Sequence, residues 1–154
     1  MIESLQEWAQ SFPGWLQWLA VFLVAAIPLV ESYTGTFIGV AIGLHPAVAA
    51  SAAIAGNAVT VLIIIAITSR IRASERSANK VRTPSGRQRM KRLLERIGIP
   101  GVALLGHPTQ LSSAAMVGFG ADRRKVIVWE LVSIALWGVV IAVLAGFGAE
   151  LLLH

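Results

Sequence analysis

Residues 47–69 read AVAASAAIAGNAVTVLIIIAITS, 23 residues without a charge. As a helix this run rises about 34 Å, enough to cross the roughly 30 Å hydrocarbon layer of a bilayer. His45-Pro46 precedes it and Arg70 follows it, so the segment is predicted to be a complete transmembrane helix. Residues 126–149 give a second run of 24, in which Glu130 is the one charged residue.

The composition agrees with these two spans. Of 154 residues, 56% are hydrophobic and 14% charged, and the mean hydropathy is +0.72. An ordinary soluble domain has about 25% charged residues, and a small domain buries the smallest fraction of its surface. Lipid is therefore expected to solvate much of this chain. Thiol catalysis, disulfides and thiolate metal sites are excluded, because there is no cysteine. Three scattered histidines without close carboxylates make no metal-ligand set. No nucleophile–base set, phosphate loop or hydride-cofactor motif is present, so no enzyme activity and no cofactor are expected. Glu3 and Glu7 stand where a signal peptide needs positive charge, so the apolar segments are expected to be retained.

The net charge of +5 is concentrated in one place. Between Arg70 and Arg96 lie ten Lys or Arg and only two acids, Glu75 and Glu95. Basic residues beside apolar spans mark the cytoplasmic side. Nucleic acid is the competing partner for such an island and is not expected, because the island has no aromatic residue to stack on bases. Within it Met90, Leu93, Leu94 and Ile97 recur at helical spacing among arginines and lysine. This predicts an amphipathic helix over 87–97, with Arg87, Arg89, Lys91, Arg92 and Arg96 as the residues that bind anionic lipid.

The remaining segments are broken. Residues 1–15 carry Leu5, Trp8, Phe12 and Trp15 at helical spacing, which reads as an interfacial amphipathic helix or as a helix packed on protein. Residues 16–44 are apolar but interrupted at Pro28, Glu31 and Gly35, and 98–120 at Pro100, Gly106, His107, Pro108 and Gln110. Arg123, Arg124 and Lys125 then form a second basic cluster. Both basic clusters can be cytoplasmic only if 98–120 enters and leaves on one face, as a re-entrant hairpin. The same parity makes 16–44 an outer hairpin. The expected fold is thus an all-α integral membrane protein: an inverted repeat of re-entrant hairpin plus transmembrane helix, 16–69 and 98–149, joined by the basic loop 70–97. Setting Gly43 on Gly120 aligns the two halves. Inverted repeats with broken helices at the midplane are characteristic of secondary transporters. The rival topology, in which each broken segment crosses, puts Arg123, Arg124 and Lys125 outside.

Glu31 leads the candidate site residues. An acid at membrane depth costs about 2.5–3.5 kcal/mol and marks a substrate or proton path. Asn57, mid-span, is a substrate contact or helix–helix glue. His107 and Gln110 supply the polar bend of the second broken segment, where freed backbone needs protein or a wet cavity. Pro28, Gly35 and Pro108 are read as the bends themselves. Gly35, Gly39 and Gly43 form a small-residue stripe that favours close packing. Arg70, Arg72 and the 123–125 cluster read as topology anchors, and Glu130 as a partner for one of those arginines.

Residues 28–43 (PLVESYTGTFIGVAIG), the Gly56-Asn57 pair and the Pro108 bend with Gly118 and Gly120 resemble the small multi-drug export protein family, whose layout is similar to that of the DedA membrane proteins. The resemblance covers about residues 20–149. Glu31 matches the acid of the family's first motif, while Tyr33 stands where that motif has arginine. Around the second bend, His107-Pro108-Thr109-Gln110 keeps one proline of a proline- and glycine-rich motif. The resemblance implies a bacterial inner-membrane transporter of small molecules or drugs, coupled to protons or ions. Similarity to the DedA layout implies the alternative, a flippase for a lipid carrier such as undecaprenyl phosphate. A subunit that braces a larger assembly is a third reading. Two spans and two hairpins enclose little volume, so a homodimer is expected.

Overall fold

The computed structural model describes the backbone of residues 2–77 and 86–152, and the side chains of these apart from 75–77, 86–91 and 149–152. The described chain is all α-helical. In order it forms α1 (Ile2–Gln10), a 3-10 turn (Gly14–Leu16), α2 (Gln17–Ala26), α3 (Ser32–Ala41), α4 (Pro46–Ser77), α5 (Gly86–Leu105), α6 (Thr109–Phe119) and α7 (Arg123–Leu152). Two of these helices, α4 over Pro46–Ser74 and α7 over Arg123–Gly148, are long and apolar enough to cross a membrane.

Helix ends follow the chemistry of the chain. Although the apolar run of α4 stops at Ser69, the helix continues to Ser77; the added residues include Arg, Ala and Glu, all good helix formers. In α5 the backbone breaks at Gly98 (φ 67°, ψ −177°). This ends the basic amphipathic stretch directly after Ile97, and Pro100 then falls in the first turn of the helix that resumes, where a missing N–H costs little. Both α3 and α6 end in one device. Gly43 (φ 97°) donates to the Val40 carbonyl while Leu44 donates to Gly39; Gly120 (φ 100°) donates to Val117 while Ala121 donates to Met116. Each is a Schellman motif with glycine in the left-handed position.

The chain divides into two compact units: Met1–Thr60 with Ile134–His154, and Val61–Ser133. In the first unit, α1 lays Leu5, Ala9 and Phe12 on Ala20, Val24, Val30 and Ile38. The 1–15 segment is therefore packed on protein on one face, while Trp8, Trp15 and Trp18 stay exposed. α3 is wedged between α2 and α4. A Cβ on Gly35 would meet Ala25 and Ala53, and one on Gly39 would meet Val21 and Ala49. Those pairings make α3 antiparallel to both neighbours. On α4, Gly56 lies against the Phe22 carbonyl, and Thr60 Oγ1 donates to the Ala26 carbonyl (2.7 Å). Ala26 is the last residue of α2, where helical carbonyls have no partner of their own.

The second unit packs α5 on α6, with Val61, Ile65, Val102, Ala103, Met116, Val117 and Val126 buried. Arg72, on the charged end of α4, donates from Nη1 to the Val117 carbonyl (2.9 Å). Its guanidinium occupies the space a Cβ on Gly120 would need. A cation at the carbonyl end of α6 complements the helix dipole, so this arginine is a cap as well as a flanking charge.

Candidate functional site

Glu31 sits in the break between α2 and α3. The break contains Pro28 and bends through two non-glycine residues at positive φ, Leu29 (78°) and Glu31 (35°, ψ 155°). Such backbone costs about 1–3 kcal/mol per residue and clusters at functional sites. Only 1% of Glu31 is exposed. Its carbonyl accepts the Gly35 N–H (3.1 Å) to open α3, while its carboxylate makes no capping bond to that helix. Next to it Ser32 Oγ donates to the Ile134 carbonyl (2.9 Å) and Thr36 Oγ1 to the Ser32 carbonyl (2.8 Å). The start of α3 is thereby tied to α7 within the first unit. Asn57 belongs to the same unit and is fully buried on α4.

Gly35 is not a bend. It lies one turn inside α3, where it makes the close contacts with Ala25 and Ala53. Sequence could not separate the two uses of glycine, because a bend and a tight helix crossing both need a missing side chain. Gly39 does pack as the stripe required, whereas Gly43 has nothing near it and serves the helix end instead.

In the second unit the break falls at residues 106–108, with a cis His107-Pro108 peptide, and Pro108 stands as the N-cap of α6. His107 is exposed, while Gln110 is buried in the first turn of α6. That turn holds a cluster that sequence reading missed. Thr109, Gln110, Ser112 and Ser113 are all buried. Ser112 Oγ lies 2.8 Å from Glu130 Oε1 and 3.1 Å from the Thr109 carbonyl. Glu130 is fully buried on α7, and so is Ser133 one turn further on. A signal was present in the run Thr109 to Ser113, four polar residues in five at the start of an otherwise apolar helix.

Of the residues assigned to the lipid surface, Arg92 and Arg96 are exposed on α5; the side chains of Arg87, Arg89 and Lys91 lie outside the described residues. Among the described residues no group of three His, Asp or Glu could hold a metal ion. The buried carboxyls of Glu31 and Glu130, the Asn57 and Gln110 amides and the α6 hydroxyls offer polar chemistry in apolar surroundings. Compared with protein-family models, with curated proteins and with solved structures, the chain matches none.

Proposed function

We propose that this chain is a multi-pass α-helical protein of the inner membrane and acts as a small transporter, with Glu31 as the carboxyl that couples substrate movement to a proton or ion. The reading is carried by a buried, backbone-strained Glu31 at the junction of two antiparallel ten-residue helices. Ten residues rise about 15 Å, half of the roughly 30 Å hydrocarbon layer. A pair of that length, folded back on itself, suits a re-entrant hairpin and is too short for two crossings.

The exposed faces support lipid as the solvent. Only 39% of the apolar window of α4 and 33% of that of α7 is buried. Ile63, Ile67 and Ile71 on α4, and Val132, Val139 and Leu144 on α7, point outward. Water does not tolerate so continuous an apolar surface on a soluble monomer. In lipid, a buried acid is costly and marks a path.

The order of elements supports an inverted repeat. α6 starts 77 residues after α3 (109 − 32), α7 starts 77 residues after α4 (123 − 46), and Gly120 follows Gly43 by the same interval. With 70–97 cytoplasmic, as its charge requires, the first hairpin enters from outside and the second from inside. That is the layout of transporters with broken helices, and the resemblance to small multi-drug export proteins points the same way. Exposed Arg92 and Arg96 fit a helix resting on anionic headgroups. A homodimer would supply the volume that one copy lacks.

A second reading, movement of a lipid phosphate carrier, is favoured by one observation. An open groove of about 530 Å³ runs along Trp18, Phe22, Val48, Ser51 and Ala52, and Ser51 turns its hydroxyl back to the Ala47 carbonyl. Such a groove suits an acyl chain better than a polar solute.

Proteoliposomes assayed for a fluorescent cationic dye and for a labelled anionic phospholipid separate the two. Wild type should move one of them, driven by an imposed pH or ion gradient. Glu31→Gln should insert normally and lose most of the flux, while Glu31→Asp keeps part of it. Gradient-driven flux at the wild-type rate in a well-inserted Glu31→Gln protein would end the coupling assignment.

A further inference from the structure

Glu130 has no part in that reading, yet it is fully buried in the second unit and bonded to the Ser112 hydroxyl. We propose that Glu130 is a second proton-binding carboxyl, and that the Ser112 hydroxyl relays its protonation state to the first turn of α6.

The protons available at Ser112 decide its bonding. Ser112 Oγ stands within hydrogen-bond distance of two oxygens, Glu130 Oε1 at 2.8 Å and the Thr109 carbonyl at 3.1 Å. A hydroxyl has one proton to give and lone pairs to receive another. When Glu130 carries a proton, its O–H donates to Ser112 Oγ, and the serine proton goes to the Thr109 carbonyl. Both short contacts are then hydrogen bonds. When Glu130 releases that proton to water, the carboxylate can only accept. The serine hydroxyl turns toward Oε1 and the Thr109 carbonyl loses its extra donor. One proton thus exchanges a bond on α7 for a bond inside α6.

The surroundings favour this role. Ser133, three residues from Glu130 and so on the same face of α7, is fully buried and its Oγ has no hydrogen-bond partner. A further hydroxyl is therefore at hand for either state of the acid. The N-terminal turn of α6 also presents the positive end of that helix's dipole to a carboxylate bonded there. The charged groups of the neighbouring elements are few in number. α6 and the part of α5 after Gly98 contain no ionisable side chain. α4 brings Arg70, which is exposed, and Arg72, which is bonded to the Val117 carbonyl. Arg123, Arg124 and Lys125 at the start of α7 are exposed, as are His107, Glu95 and Asp122.

Infrared difference spectra of the full chain in lipid vesicles, stepped through pH, test the assignment without any transport readout. A carbonyl stretch of a buried carboxylic acid should appear and disappear reversibly. One component of it should be lost in Glu130→Gln and kept in Glu31→Gln, which keeps this result separate from the fate of the transport reading. Ser112→Ala should move the midpoint by about one pH unit or more, the expected worth of a hydrogen bond to a charged group. Ser112→Thr, which keeps the hydroxyl, should restore it. Should Glu130→Gln fail to fold, Glu130→Asp must shift the band. A band untouched by both Glu130 variants, an unmoved midpoint in Ser112→Ala, or no titrating band at all would overturn the proposal.

Discussion

The first helix pair, α2 with α3, is drawn together by glycine, and the second, α5 with α6, is lined by hydroxyls. Where α3 has Gly35, Thr36 and Gly39, α6 at the same distance from its Schellman glycine has Ser112, Ser113 and Met116. In the first pair Gly35 therefore lies against Ala25 and Gly39 against Val21. In the second, Ser112 and Ser113 are buried and Ser112 bonds to Glu130 on α7. The acids differ in the same way. Glu31 is part of the break itself, held by strained backbone, while Glu130 comes from a regular helix and meets the pair through Ser112. The first pair thus has a built-in carboxyl beside its glycine contacts, and the second a carboxyl borrowed through a serine.

The largest test of that contrast is Gly39→Val. Its side chain would enter the space of Val21 and Ala49, and overpacking of this kind costs about 3 kcal/mol or more. Thermal unfolding in detergent should show it plainly. A Gly39→Val protein as stable as wild type would mean that the first pair is not packed by glycine contact at all.

A middle-sized effect separates the two helix ends. Gly43→Ala and Gly120→Ala share the left-handed backbone, which costs an L residue about 1–2 kcal/mol. Gly43 has open space around it, whereas Gly120 faces Arg72. Gly120→Ala should therefore be the more destabilising by about 1 kcal/mol or more, the worth of a displaced hydrogen bond and cap. In an Arg72→Ala background the two glycine substitutions should cost the same. Equal costs already in wild type would remove Arg72 as a cap.

Gly118→Ala should give the smallest change, and of opposite sign. Nothing lies within reach of a Cβ at that position of α6, so exchanging glycine for alanine in a helix should stabilise by about 0.5–1 kcal/mol. Loss of stability there would show that a neighbour closes on Gly118 after all.

The extent to which sequence showed this fold depends on the range of the interaction. The apolar runs inside α4 and α7, and the change at Gly98 from basic amphipathic helix to apolar segment, are local patterns and could be read directly. The charged ends were harder: residues 70–77 and 123–125 lose the apolar signal while keeping helical propensity, so both helices are longer than their apolar runs. The sequence suggests an arginine partner for Glu130 because charge is visible in it, whereas burial is not. Its bond to Ser112 spans 18 residues, and only packing brings the two together. The double use of Arg72 was hidden for the same reason, since Val117 lies 45 residues away.

The bond from Thr60 to the Ala26 carbonyl has a consequence in time. That carbonyl ends α2 and receives its donor from a residue 34 positions later. At a synthesis rate of about 5–20 residues per second, some 2–7 seconds pass between the emergence of the acceptor and of its partner. If the chain inserts in a bilayer as proposed, the end of α2 must for that interval be kept in water or lent a donor, because a bare carbonyl in hydrocarbon is expensive. The first half of the chain is therefore expected to settle at its final depth only once α4 has arrived, making the long helix the event that completes the short ones before it.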